Sequence, residues 1–463
     1  MNSPKVGLLP CYIALYDQAL PELASQQEPF LRRSADLLAT LGCTVDTAPI
    51  CRTRADFAAA LARFNTAGIE VIVVLHLAYS PSLEAAELLA ASPLPVILLG
   101  TTPDIAFGHG VDPQRLLYNH GIHGLQDLAC VLRRLGKPYR VIAGHLTDPA
   151  FPRRCAEVIR AATAARALRG MRVLRLGGEF PGMGDFAAGD DALRAGLGLT
   201  VENGDPGDLA ADVAAVTTAA LADEAAADRA QFRIECEAAV HTRSNRVGLG
   251  LRARLTAGGF GAFSLNFLSF RDAAGPVDTV PFLECSKAMA RGIGYAGEGD
   301  VLTAALVGAL ARGFGPTTFA EIFCPDWAGQ SLFLSHMGEF NPALAAARPL
   351  LYEKEYTFSP ARNPAVLACA PRPGPGTWVN LAPGPAGTFR LISCPVEILE
   401  DGTHPGIARW VRAWIRPPGP VATFLERFSQ AGGTHHSALL PGDHAAAMAD
   451  FAAFLGLEHR PLP

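Results

Sequence analysis

The runs "VIVVLH" (71–76) and "PVILLG" (95–100) are apolar on both alternating sets of positions, so a strand built from either buries both of its faces. Such strands belong in parallel sheets covered by helices on the two sides. The neighbouring segments agree. "KVGLLP", "CTVDTAP" and "YRVIAGHLTD" also read as strands, and the amphipathic stretches "EPFLRRSADLLATLG", "RADFAAALARFNTAG" and "SLEAAELLAAS" read as the helices between them. Strand and helix in alternation give parallel strands with crossover helices, hence a doubly wound α/β domain over residues 1–168. Ligands of such sheets gather beyond the carboxyl ends of the strands, which draws attention to His76 and His145.

A second α/β unit is expected over 169–317. It begins at "MRVLRLGGEFPGMGDF" and continues through "LGLTVENGD" and one long helix, "DLAADVAAVTTAALADEAAADRAQF". The strand-like "FGAFSLNFLSF" and the helix "FLECSKAMARG" follow. From residue 318 the pattern changes to short β segments divided by Pro/Gly turns, as in "PAVLACAPRPGPGTWVNLAPGPAGTFRLISCPVEIL", with short closing helices. The expected architecture is therefore two Rossmann-like α/β domains followed by a β-rich, barrel-like domain at 318–463.

Several function classes fall away on composition. A net charge of −5 without a Lys/Arg-rich run leaves no electrostatic footprint for nucleic acid or an anionic membrane. No apolar stretch approaches the ~18–20 residues of a membrane span, and the start "MNSPKVGLLPCYIALYDQ" lacks the pattern of a signal peptide, so a cytoplasmic protein is expected. The ten cysteines are scattered, with no C-x-x-C, and read as reduced thiols. No P-loop is present, which removes P-loop ATP chemistry.

Four stretches set ionisable side chains among glycines and apolar residues. They are "GIGYAGEGDVLTAALV" with Glu298 and Asp300, "TTFAEIFCPDW" with Glu321, "FLSHMGEF" with His336 and Glu339, and "QAGGTHHSALL" with His435 and His436. Each has a plain structural reading: a carboxylate accepting N–H groups at a helix start, a glutamate paired with arginine, a core histidine, a packed His–His turn. Taken together, two carboxylates and two imidazoles form a mixed O/N donor set that suits Mn²⁺, Co²⁺ or Mg²⁺ better than a thiolate-rich zinc site would. Asp300 and Glu339 read as supporting groups.

These residues resemble the L-arabinose isomerases of the arabinose/fucose isomerase superfamily. "GYAGEGDVLTAALV", "SHMGE" followed by "NP", and "AGGTHHS" carry the likeness most specifically. "VVLHLAYSPS", "YNHGIHGLQDLACVLRR", "VIAGHLTD", "MRVLRLGGEF" and "GGFGAFSLNF" extend it, in the expected order, along nearly the whole chain. The resemblance implies a metal-dependent aldose–ketose isomerase with Glu298, Glu321, His336 and His436 as ligands and the two glutamates as acid/base groups. It places His435 beside the sugar, Tyr79 and His123 as pocket residues from the N-terminal domain, and Phe267 and Phe180 as apolar substrate contacts. It also implies a homo-oligomer, a hexamer or trimer pair, in which Tyr79 and His123 act on a neighbour's site.

Departures from the family pattern cluster at the pocket wall. Val301 stands where tryptophan is usual, Ala320-Glu321-Ile322 replaces Met-Glu-Asp, His120 replaces a glutamine, and Gly261 replaces a histidine. The expected substrate is an aldose like L-arabinose or D-galactose. Two alternatives stand beside it: an isomerase or epimerase of the same fold acting on a fucose-like, short-chain or modified sugar, and a non-catalytic sugar-binding protein.

Overall fold

In the computed structural model residues 3–402 and 404–463 are described. They divide into two compact units. The first takes the chain up to Arg166 together with Asp450–Gly456, and the second takes Ala167–Ala449 with Leu457–Pro463.

In the first unit the apolar runs form one parallel sheet. Its strands, in spatial order, are Thr44–Thr47, Lys5–Cys11, Val71–His76, Val96–Gly100 and Tyr139–Ala143. The chain order 2-1-3-4-5 is a doubly wound one, and its switch point lies between the strands that end at Cys11 and His76. The helix Arg54–Ala67 starts at Thr53 through a reciprocal capping box with Asp56 and stops at Gly68, whose φ is +68°. Its buried face sets Phe57 and Phe64 against Leu9, Ile72 and Val74. The glycines of "HGIHG" have a packing cause. A Cβ at Gly121 would lie 2.3 Å from the His76 carbonyl oxygen, and one at Gly124 would lie 2.6 Å from the His76 ring, so the helix Gly121–Arg134 seats directly on that strand end.

The second unit opens with a four-stranded parallel sheet in the order Gly294–Gly297, Ala262–Leu265, Arg172–Leu176, Thr200–Gly204. The helix Val301–Phe314 is buried along most of its length, as its nearly all-apolar sequence requires. Further along, Gly374–Pro383, His436–Pro441, Thr318–Asp326, Ser331–Ser335, Ala413–Arg416 and Phe389–Ile398 pair antiparallel in that order. Phe389–Ile398 pairs back onto Gly374–Pro383 and closes the sheet into a barrel. Glu458–Pro461 pairs in parallel with Arg390–Ser393 of the closing strand, beyond the Glu397–Ile398 pairing with Ala413–Arg416. Trp378, Ile392 and Ile415 fill the interior, capped by Phe424 and Phe428 of the helix Val421–Gln430. Fold class and barrel-like character follow the sequence expectation.

Three local readings are corrected. The single long helix expected over 208–232 is broken into Ala210–Ala214 and Thr218–Gln231, because the β-branched Val216-Thr217-Thr218 run interrupts it and Thr217 caps the second piece through the Ala220 N–H. Within "FGAFSLNFLSF" only Ala262–Leu265 is strand, and Phe267–Ser269 is a 3₁₀ turn started by the Asn266 side chain. Ala365–Ala368 leaves the barrel and joins Leu350–Glu353 and Arg233–Glu235 in a small separate sheet.

Helices Thr218–Gln231, Ala238–Gly258 and Phe282–Ala290 meet at an ionic network. Glu224 accepts from Arg252 at 2.6 and 2.8 Å and from Lys287 at 2.8 Å, while Asp228 accepts from Asn245 at 2.8 Å and faces His241 at 2.7 Å. Burial pushes the Glu224 carboxyl up, but Arg252 and Lys287 outweigh it and bring it down to about 2. A carboxyl lowered on folding stabilises the protein above its ordinary pKa and loses that contribution as pH falls toward the folded value. Acid unfolding followed by circular dichroism between pH 5 and 2 should therefore show a stability loss that is smaller in Glu224→Gln, a variant already less stable at neutral pH.

Candidate active site

The parallel sheet of the second unit delivers three residues just past the carboxyl ends of its strands. Phe180 follows Arg172–Leu176, Phe267 follows Ala262–Leu265, and Glu298 follows Gly294–Gly297. Glu298 sits in left-handed backbone at φ +66°, a conformation that costs a non-glycine residue roughly 1–3 kcal/mol. Its main chain is held on both sides: its N–H donates to the Leu265 carbonyl at 2.8 Å, and its carbonyl accepts the Phe180 N–H at 2.9 Å. Gly299 follows at φ +87°, where a Cβ would lie 2.3 Å from the Gly178 carbonyl oxygen.

The helix-start role weighed for Glu298 belongs instead to Asp300. Its Oδ1 accepts the Thr303 N–H at 2.8 Å and caps Val301–Phe314, and its Oδ2 lies 3.1 Å from His436 Nδ1. Glu298 is thereby left to face the histidines.

The barrel supplies the opposite side. Glu321 is directly opposed to His436 on one neighbouring strand and to Ser335 on the other, and His336 is the next residue along. Opposed residues of antiparallel strands share a face, with Cβ atoms about 5 Å apart. A register shift between Ile322 and Cys324 interrupts the pairing just beyond Glu321, and it resumes at Cys324 opposite Phe333.

Each imidazole is oriented from behind by a carboxylate. His336 Nδ1 lies 2.9 Å from Glu339 Oε2, and Glu339 Oε1 accepts the Tyr295 hydroxyl at 2.6 Å; Asp300 does the same for His436. An acceptor at Nδ1 keeps the proton there and turns the Nε2 lone pair inward. Both Nε2 atoms are buried and have no hydrogen-bond partner among the described residues. His336 Nε2 is 3.7 Å from Glu321 Oε2, and His436 Nε2 is 3.4 Å from Glu298 Oε2. Phe319 stands edge-on to both rings at 4.8 Å and closes the floor.

An unpaired buried nitrogen costs about 1–3 kcal/mol, so two of them aimed at two carboxylates call for a cation or a proton between them. The donor atoms of Glu321, His336 and His436 lie within 4.8 Å of one another, and so do those of Glu298, His435 and His436. Two imidazole nitrogens and two carboxylates fit a divalent cation of the Mn²⁺, Co²⁺ or Mg²⁺ type.

The electrostatics divide the two glutamates. Burial raises Glu298, but the imidazoles of His435 and His436 facing it outweigh burial and hold its carboxyl well below the usual range. Burial raises Glu321 as well, and there the histidines offset it only in part, so its carboxyl stays above the ordinary value. Burial lowers His436, yet Asp300 and Glu298 bring it up to about 8. His435 rises to about 10 against its burial, through Asp185 and Glu298.

The remaining sequence candidates fall into two groups. Phe180 and Phe267 stack 5.6 Å apart, and Phe267 also meets Tyr356 at 6.0 Å and the exposed Phe358 at 6.2 Å, forming an aromatic wall. Tyr79 and His123 belong to the first unit, where their rings lie 4.9 Å apart beside His120 and the Tyr79 hydroxyl reaches Asp127 at 3.3 Å. His145 caps a turn with Thr147, and buried His76 is brought down to about 4 by its burial. Sequence reasoning missed Tyr295, Phe319, Tyr356, Asp185 and Phe186; the glycines around "GMGDF", just past a strand's carboxyl end, were the one signal for the last two.

Comparison with known proteins gives matches over most of the chain. Residues 316–458 match the L-arabinose isomerase C-terminal domain, and 186–312 match the L-arabinose isomerase central domain. L-arabinose isomerase of Nocardioides sp. (strain ATCC BAA-499 / JS614) is 30% identical over 361 residues, covering 75% of this chain and 71% of that protein. L-arabinose isomerase of Mycolicibacterium smegmatis is 27% identical over 463 residues, 96% of this chain and 91% of its own. L-arabinose isomerase 1 of Bacillus licheniformis is 30% identical over 358 residues, 75% of this chain and 71% of its own. Fold, site and matches define a protein of the sugar isomerase class. The chain belongs to the L-arabinose isomerase family.

Gly299→Ala should displace Glu298, since both its φ and the Gly178 carbonyl forbid a Cβ. Lower thermal stability by calorimetry is the expected result; a wild-type value would contradict the packing described.

Proposed function

We propose that this aldose–ketose isomerase is metal-dependent, with Glu298, Glu321, His336 and His436 holding the cation and the two glutamates moving the protons. The observation that carries the reading is the pair of buried, unpartnered Nε2 atoms of His336 and His436, each aimed at a glutamate. Bound there, a divalent cation, Mn²⁺ or else Co²⁺ or Mg²⁺, supplies positive charge against the negative charge that develops on the sugar's O1 and O2, a contribution of several kcal/mol.

The protein's own groups do the rest. The hydrogen on C2 of an open-chain aldose is only weakly acidic, so a carboxylate must be placed to take it and return it to C1. One of Glu298 and Glu321 does this, while the other passes the hydroxyl proton between O1 and O2; each transfer contributes roughly 10²- to 10⁴-fold. Their contrasting environments divide the labour between them. His435 borders Glu298 at 3.5 Å and presents Nε2 to the substrate oxygens. Phe319 and the Phe180–Phe267 wall exclude water from the enediol.

The substrate in this reading is an aldose like L-arabinose or D-galactose. A second reading, another sugar on the same centre, is favoured by the wall, where Phe180, Phe267, Tyr356 and Phe358 present four aromatic rings; Gly261, expected in that wall, lies instead at the amino end of Ala262–Leu265, away from it. A panel of aldoses assayed for ketose formation with Mn²⁺ separates the two. We further propose a homo-oligomer, hexamer or trimer pair, whose site is completed by Tyr79 and His123 of a neighbouring subunit.

Two experiments follow. Glu298→Gln and Glu321→Gln should each lose ketose formation by at least about 10²-fold while keeping the wild-type circular dichroism spectrum, and turnover near wild type in either removes that glutamate from the chemistry. Mixed assemblies of Glu298→Gln and His123→Ala subunits should regain activity that neither variant has alone. Failure to recover, with both variants assembled, contradicts a site shared between subunits.

A further inference from the structure

The loop that leaves Arg172–Leu176 is tied at both ends by one side chain. The Arg175 guanidinium, largely buried, donates to Glu179 at 2.6 Å, to Asp190 at 2.9 Å and to Asn203 at 2.7 Å. The main chain adds two fastenings: Phe180 N–H to the Glu298 carbonyl, and the Asn266 side-chain amide to the Glu179 carbonyl at 3.2 Å. A loop so anchored over residues 179–190 has a defined course, and its middle reaches the double histidine.

There two consecutive residues engage two consecutive histidines. Phe186, which is buried, stacks nearly parallel on His436, 6° between the planes and 5.3 Å between centroids. Asp185, exposed on its outer side, accepts twice from His435: from the backbone N–H at 2.8 Å and at Nδ1, 2.6 Å from Oδ2. Contact with backbone and ring of the same residue fixes the rotation of the imidazole, which a single surface ion pair does not. The far nitrogen, Nε2, is then directed at Glu298 Oε2, 3.5 Å away.

We infer that Asp185 is a positioning residue of the reaction: seated by Phe186 and the Arg175-anchored loop, its carboxylate holds the His435 ring so that Nε2 faces Glu298 and the substrate oxygens. This rests on the isomerase reading. The arrangement repeats in the open part of the site what Glu339 does for His336 and Asp300 for His436. The difference is that Asp185 serves a histidine facing substrate and so acts on turnover, leaving cation affinity to the other two.

The test uses the full-length protein with Mn²⁺ and compares Asp185→Ala, Asp185→Glu, His435→Gln and the double variant Asp185→Ala/His435→Gln. Asp185→Ala should lower kcat roughly tenfold to a hundredfold, the range for losing a group that orients a functional histidine, with Mn²⁺ content per subunit unchanged. Asp185→Glu should restore part of the loss. In the His435→Gln background, removal of Asp185 should cost nothing further, whereas additive losses overturn the inference, because groups acting through one another do not add. A crystal structure of Asp185→Ala gives a readout independent of turnover: the His435 ring rotated away from Glu298 supports the assignment, and a wild-type ring orientation overturns it. Should the wild-type protein convert none of the aldoses, the isomerase reading falls and the crystal structure alone decides on Asp185.

Discussion

Everything at the site depends on hydrogen bonds made on its far side. Glu339 and Asp300 each accept from the Nδ1 of a buried histidine, and those two contacts decide that His336 and His436 present bare Nε2 atoms to Glu321 and Glu298. Without them the imidazoles are free to change tautomer and rotate, and the inner nitrogens become donors as easily as acceptors. Tyr295, donating to Glu339, and Thr303, whose N–H is capped by Asp300, carry the same constraint one residue deeper, into the parallel sheet and its buried helix.

Such a centre is expensive for a protein to keep. Two carboxylates and three histidines stand within a few ångströms of one another in surroundings that are mostly buried, where like charges repel strongly and desolvation is unfavourable. Glu298 adds backbone strain. The structure supports this with rigid pieces on two sides: a parallel sheet whose carboxyl edge holds Glu298 through main-chain bonds to Leu265 and Phe180, and a closed barrel whose register sets Glu321 across from His436. Neither piece alone contains a complete donor set.

How much of this the sequence disclosed follows from what each feature depends on. The doubly wound sheet of the first unit was legible because "VIVVLH" and "PVILLG" are buried on both faces and carry their environment in their composition. The segments holding Glu298, Glu321, His336 and the double histidine stood out because ionisable residues are rare in apolar, glycine-rich surroundings. Their convergence was not legible, since it depends on barrel register and on a closure between Gly374–Pro383 and Phe389–Ile398 that no local pattern encodes. The exchange of roles between Glu298 and Asp300 turns on a φ of +66° invisible in "GEGD". Asp185 went unread because an aspartate in a glycine-rich loop looks like any turn residue until the loop's anchor, Arg175, is seen. The break at Thr217 shows the same limit on a small scale: an Ala-rich stretch favours helix throughout, and a single capping hydroxyl decides where it restarts.

The central claim is that the four groups form one cation site on which catalysis depends. The most direct measurement is turnover against bound metal: protein stripped with a chelator, its metal content checked by elemental analysis, then titrated with Mn²⁺ in the presence of an accepted aldose. The account predicts no ketose from the stripped protein and a rate that climbs in step with bound Mn²⁺ to one ion per subunit, with no such climb in His336→Ala. Full-rate turnover by verified metal-free protein would contradict it.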